Sequence, residues 1–207
     1  MVCAVSEGHT YIKGHSGRRY HADPSRVAEE WNVEDYARGL HSITRWRGAT
    51  GMRISVAAHS IFVAQFCPPQ HALEGLLHDT GEFFVGDIPA PFKKLPALKG
   101  AVALEKRLHA AILAHHGIKE TKASKGVIKI ADMLSRQLEI EYMANPSKED
   151  FEAVPPVELP FEVVQAARVA LRRLVALDDE NCPLAFVRAY NALREQAEEA
   201  KGSVHGR

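Results

Sequence analysis

The pair His78-Asp79 sits in the segment Leu76-Leu-His-Asp-Thr-Gly-Glu82, where an imidazole and a carboxylate stand side by side in apolar surroundings. Burying a charged carboxylate is costly unless something compensates, and a metal ion compensates. Two other residues have comparable settings. His59 lies in the otherwise apolar run Val56-Ala-Ala-His-Ser-Ile-Phe-Val63, and Asp132 lies in Val127-Ile-Lys-Ile-Ala-Asp-Met-Leu134. Two imidazole nitrogens and two carboxylates form a mixed N,O donor set. Such a set suits one divalent transition metal, Mn, Co, Zn, Fe or Ni, and not a thiolate-loving site.

Other residues supply chemistry around that set. Glu82 follows His78 by four positions, so its carboxylate projects from the same helix face, one turn on, as a general acid or base. Arg45-Trp46 offers a planar guanidinium fork for phosphate and an indole face for a flat ring. Lys93 is a second phosphate clamp, and Pro91 beside it is a rigid wall. Each residue alone has a plainer reading. A single His on an apolar helix is usually a satisfied core residue, Arg45 could pair with Asp35 or Glu34, and Trp46 could be core. His9, His15, His21, His41, His71, His109, His115, His116 and His205 take the structural or solvent reading, with His115-His116 also weighed as an outer support of the metal. The combination therefore carries the argument.

Helices must position these groups. Ser55 is a natural N-cap for a helix from Val56 to Phe66 that ends before Pro68-Pro69. The pattern predicts further helices over His71 to Val85, Ala101 to His116 (stopped by Gly117), Gly126 to Met143, Phe161 to Leu177 and Leu184 to Ala200. Val27 to Leu40 reads as one or two short helices with Asn32 as a second cap. Gly86 to Pro96 carries three prolines and is expected to be a non-helical loop. Thr10 to His21 reads as a short hairpin or extended arm, and Lys148 to Pro160 as a surface linker.

The composition narrows the class. Twenty-six basic residues balance twenty-six acidic ones, so no global field holds a polyanion and a small substrate is expected in place of a nucleic-acid polymer. Three cysteines, Cys3, Cys67 and Cys182, lack a paired spacing, which argues for a reducing compartment. No stretch has the length of a membrane span or of a signal peptide's apolar core, so a cytoplasmic protein with no membrane partner is expected.

The set His59, His78-Asp79, Asp132 resembles the signature of the HD-domain metal-dependent phosphohydrolase superfamily. Ser55-Val-Ala-Ala-His-Ser60, Leu76-Leu-His-Asp-Thr-Gly-Glu82 and Gly86-Asp-Ile-Pro-Ala-Pro-Phe-Lys93 are similar to the branch with bacterial 5′-deoxynucleotidases and phage dATP triphosphohydrolases. The resemblance runs from the Gly17-Arg-Arg-Tyr arm to Met143. It implies an all-α, compact HD-domain helical bundle: one domain over 1–207, with the HD core at about 40–145 and a C-terminal helical extension over 148–207. It also implies His59, His78, Asp79 and Asp132 as metal ligands, Glu82 activating water and Asp87 assisting near the leaving group. Arg45 and Lys93 would hold phosphate, Trp46 would stack on the base, and Pro91 would lie against the sugar. Homo-oligomers, dimers or larger, are a further implication. The expected activity is hydrolysis of a 5′-(deoxy)nucleoside monophosphate to nucleoside and phosphate. The alternatives are a triphosphohydrolase releasing tripolyphosphate, hydrolysis of a signalling nucleotide, and a non-catalytic metal-containing nucleotide-binding module.

Overall fold

The computed structural model describes residues 11–205, with side chains through residue 200. The readings of residues 1–10, Cys3, His9 and Thr10 among them, and of the His205 side chain lie outside the described residues. The described chain is all-α, with one antiparallel hairpin, β1 (Tyr11–Lys13) against β2 (Arg19–His21), pairing Ile12 with Tyr20. It continues through α1 (Val27–Glu30), α2 (Val33–Ser42), α3 (Val56–Gln65), α4 (Pro69–Leu77), α5 (Glu82–Val85) and α6 (Ala90–Lys93). Next come α7 (Lys99–His115), α8 (Lys122–Glu139), α9 (Lys148–Glu152), α10 (Phe161–Val175) and α11 (Asn181–His205). No helix among the described residues is long and apolar enough to cross a membrane. The described cysteines Cys67 and Cys182 are free.

α3 is the axis of the fold. Its sequence is apolar on every face, and a helix of that kind is stable only when enclosed. Val56 through Ala64 are all buried, and α2, α4, α8, α10 and α11 pack around them. Ser55 caps the helix as expected, accepting from the Ala58 amide at 3.1 Å, and Asn32 caps α2 by accepting from the Asp35 amide at 2.9 Å. The two C-terminal helices close the core with Leu171 and Phe186, both fully buried, whereas Val169 is half exposed.

Several expected boundaries move for identifiable reasons. The helix predicted over His71 to Val85 ends at Leu77 and restarts at Glu82, with residues 78–81 in a turn. The break follows from two features. The Thr80 hydroxyl donates to the Leu77 carbonyl at 2.6 Å, and Gly81 lies so close to α7 that a Cβ there would sit 2.8 Å from the Glu105 carbonyl oxygen. Gly86 to Pro96 is not wholly loop. Pro91 falls in the first turn of α6, where its missing N–H is no loss, and residues Pro96–Leu98 form a 3-10 turn. α8 starts four residues earlier than Gly126, because Thr121 and Ser124 cap each other's backbone reciprocally. α11 begins at Asn181 in place of Leu184. The 148–160 linker contains the short, Ser147-capped α9.

His115 and His116 form no part of the candidate metal centre. His115 is exposed, and His116 packs edge-on against Trp31 at 4.7 Å. The His116 Nδ1–H donates to the Ile112 carbonyl at 2.7 Å, and Nε2 accepts from the Tyr190 hydroxyl at 2.9 Å, an arrangement that needs the neutral ring. Burial, reinforced by His115 and only partly opposed by the Ile112 carbonyl, pushes His116 down from 6.5 to about 4. Between those values the unfolded chain binds the proton and the native chain does not, so stability falls as pH drops from 6.5 towards 4. Thermal melts between pH 8 and 4 are expected to show a flatter Tm profile for His116→Gln than for the wild type. Equal slopes in that window would refute the assignment.

Candidate metal centre

His59 projects from the middle of α3, His78 and Asp79 from the turn that ends α4, and Asp132 from α8. His59 is fully enclosed, while side-chain exposure is 13% at His78, 21% at Asp79 and 18% at Asp132, so the centre is open on one side. The His59 Nε2 lies 3.3 Å from the His78 Nε2 and 3.5 Å from both Asp79 Oδ2 and Asp132 Oδ1; His78 Nε2 to Asp79 Oδ2 is 3.1 Å. One ligand atom each from His59, His78 and Asp132 lies within a 4.8 Å span. Ligands about 2.1 Å from a shared ion stand roughly 3.0 to 3.4 Å apart in octahedral or tetrahedral geometry. The observed edges are of that size.

Tautomers sharpen the fit. The His78 Nδ1–H donates to the Gly75 carbonyl at 2.8 Å, and His59 Nδ1 lies 2.9 Å from Glu139 Oε1. Both rings therefore turn an Nε2 lone pair towards the other and towards two carboxylates. A cation between them relieves the repulsion, and an outward N–H on carbonyl or carboxylate is how metal-ligating imidazoles are held. The electrostatics agree. Burial and Arg45 act to lower the His59 pKa, but Glu139 and Asp132 outweigh them and hold it above its ordinary value. Burial acts to raise Asp79 and Asp132, yet His78, His59 and Arg45 keep Asp79 low, and His59, His78 and Lys129 keep Asp132 low. Both carboxylates of the set are thus favoured in their charged form.

Glu82 enters the centre from the first turn of α5, not from the helix that carries His78. It is buried, Lys93 Nζ stands 3.6 Å from Oε1, and Oε2 has no hydrogen-bond partner among the described residues. Burial, Asp79 and Asp87 push its pKa up to about 10. Lys93 also donates to Glu105 Oε1 at 2.8 Å, so two carboxylates hold it. Pro91 is solvent-exposed on α6.

Arg45 is buried and does not pair with Asp35, which accepts from Ser16 and Tyr20. Its Nε donates to Glu139 Oε2 at 3.0 Å, and its Nη1 lies 3.7 Å from Asp79 Oδ2. Trp46 is half-buried, and its indole N–H donates to the same Glu139 oxygen at 2.6 Å. Trp46 and Arg47 adopt left-handed φ values of 55° and 53°. Such values strain non-glycine residues by roughly 1–3 kcal/mol each and persist where surrounding contacts dictate them. Here the dictating contacts are main-chain bonds from Gly51 N to Tyr142 O at 2.6 Å and from Ala144 N to Ala49 O at 3.1 Å.

Sequence reasoning passed over Glu139, Ser135, Glu105 and His109. Glu139 follows Asp132 by seven positions and Ser135 by four, so all three share a face of α8; that spacing was the available signal. His109 lines a cavity of about 180 Å³ together with Glu74, His78, Lys125, Lys129 and Asp132, and its Nδ1 is buried without a partner among the described residues. Its plain structural reading is thus replaced by a place on the wall of the centre.

Fold and site together define an all-helical protein with a mixed imidazole and carboxylate candidate metal centre. The chain belongs to the family of YfdR, an uncharacterized protein of Escherichia coli (strain K12), with which it shares 30% identity over 125 residues, 60% of this chain and 67% of that protein. An uncharacterized protein of Rhodobacter capsulatus is 34% identical over 151 residues, 67% of this chain and 76% of its own length. Among solved structures, the Cyanophage S-2L HD phosphohydrolase DatZ, bound to dA and one catalytic Zn2+ ion, aligns with a TM-score of 0.43 and 19% identity, covering 78% of this chain and 96% of that one. No protein-family model matches the chain.

Proposed function

We propose that the chain is an HD-type metal-dependent phosphohydrolase acting at the 5′ position of a nucleotide, with a deoxynucleoside monophosphate as its substrate. One observation carries this reading. The His59 Nε2 has the His78 Nε2 at 3.3 Å and oxygens of Asp79 and Asp132 each at 3.5 Å, and Asp79 is followed by the buried Glu82, whose Oε2 has no hydrogen-bond partner among the described residues. His59, His78, Asp79 and Asp132 would hold the ion. A bound divalent cation supplies Lewis acidity, both towards a phosphoryl oxygen and towards the attacking water.

The chain's own groups do the rest. Burial and the neighbouring Asp79 and Asp87 charges favour the protonated form of Glu82, and it would serve as a base where a bound cation offset the Asp79 charge. Its Oε2 accepts the proton of water as the new O–P bond forms and the bond from phosphorus to the nucleoside O5′ breaks; Asp87 assists at that leaving oxygen. Arg45, through the Nη1 not bound to Glu139, and Lys93 neutralise charge on the equatorial phosphoryl oxygens. Trp46, its edge fixed by Glu139, presents a face to the base, and Pro91 borders the sugar.

One feature favours the triphosphate reading. Lys125 and Lys129 flank the cavity beside His78 and Asp132, where a longer phosphate tail would find cations. A panel of deoxy- and ribonucleoside mono- and triphosphates, run with Mn, Co, Mg and Zn, separates the cases. Orthophosphate from deoxynucleoside monophosphates is expected, and tripolyphosphate would favour the alternative. Metal-loaded protein silent on the whole panel would overturn this reading, and turnover of a 3′-pyrophosphorylated guanosine nucleotide would then separate the signalling-nucleotide hydrolase from the non-catalytic module.

A further inference from the structure

We propose that Glu139 is a positioning residue whose two carboxylate oxygens serve different halves of the centre: Oε1 orients the His59 imidazole for metal ligation, and Oε2 sets the Arg45-Trp46 segment that meets the substrate. This inference rests on the metal-centre reading above. Glu139 is fully buried at the end of α8 and accepts four hydrogen bonds. Oε1 takes His59 Nδ1 at 2.9 Å and Ser135 Oγ at 2.8 Å; Oε2 takes Arg45 Nε at 3.0 Å and Trp46 Nε1 at 2.6 Å. A carboxylate has about four acceptor positions, and here all four are used.

The residue type follows from that arrangement. Glutamine has one acceptor oxygen, and its amide hydrogens would meet two donors on the other side. Aspartate is one methylene too short to span both. A carboxylate on the outward N–H of a metal-ligating imidazole fixes its tautomer and raises its basicity, and removing such a partner typically lowers metal affinity 10- to 100-fold. The rival explanation is that Glu139 merely neutralises the buried Arg45 guanidinium.

A double-mutant cycle distinguishes the two. Co(II) affinity is measured by titration of the visible absorption in the wild type, Arg45→Met, Glu139→Gln and the double variant, where no unpaired guanidinium threatens folding. The expected result is a loss of roughly 10- to 100-fold on introducing Glu139→Gln in either background. An unchanged affinity between Arg45→Met and the double variant would mean that Glu139 is only a counter-charge, and the proposal fails. Wild-type protein that takes up no Co(II) would sink the metal-centre reading and this inference with it. The loop half is read by tryptophan emission. Glu139→Gln is expected to change it, and the change should vanish in a Trp46→Phe background; a change that survives there, or none at all, overturns this half.

Discussion

Glu82→Gln is expected to lower kcat by roughly 10²- to 10⁴-fold, the range a positioned general base contributes, while the protein keeps its full complement of metal. The substitution preserves shape and removes only the ability to take a proton. Glu82 is buried beside the donor set but is not among the residues at ligand spacing. Turnover and metal content, measured on the same preparation, decide the matter; a variant with near wild-type kcat would remove Glu82 from the mechanism. A second readout is independent of turnover. In the metal-free protein Glu82 is pushed up to about 10, so the native chain binds more protons than the unfolded one from the ordinary carboxylate range to that value. Stability attributable to this group therefore falls as pH rises across that window. Metal-free Glu82→Gln should accordingly melt higher than the metal-free wild type at pH 8, the pattern of a residue retained for activity at the expense of stability.

Asp132→Ala should abolish both metal uptake and turnover. Asp132 is one of the three residues whose donor atoms fall within a single 4.8 Å span, and it comes from a helix separate from the other two. Its loss should weaken metal binding by more than the 10- to 100-fold typical of an outer-sphere change. Thermal melts with and without added Mn(II) provide the check. A ligand that binds only the native state at a hundred times its Kd stabilises by about 2.7 kcal/mol, so the wild type should gain several degrees and the variant none. Equal gains in both proteins would place the ion elsewhere.

The candidate centre was legible to the extent that single residues stood out against their neighbours. His59 is conspicuous because α3 has almost no other polar side chain, and His78-Asp79 because two polar groups stand together directly after the apolar Leu76-Leu77. Ser55 and Asn32 announced their helices through local capping chemistry. What escaped was decided at long range. Glu139 meets Arg45, Trp46 and His59 across separations of 94, 93 and 80 residues, and on an amphipathic helix an acidic residue reads at first as solvated. The break after Leu77 depends on how closely α7 passes Gly81, which no pattern within residues 71–85 encodes. His109 looked like an ordinary helical histidine because the cavity it borders is formed by α4 and α8.

The segment from Thr44 to Ser55 closes on itself through the bridge between those two residues, and its middle is tied to the chain just beyond α8 by a second bridge, Thr50 with Met143. A flap needs a free edge and a hinge, and this segment has neither. The cavity beside His78 and Asp132 is lined by other elements, with Lys125 and Lys129 on its wall, and the exposed Phe92 of α6 and Leu95 just after it also lie outside the tied segment. Replacements within residues 44–55 would accordingly change side chains on a fixed frame, and not how far a flap opens.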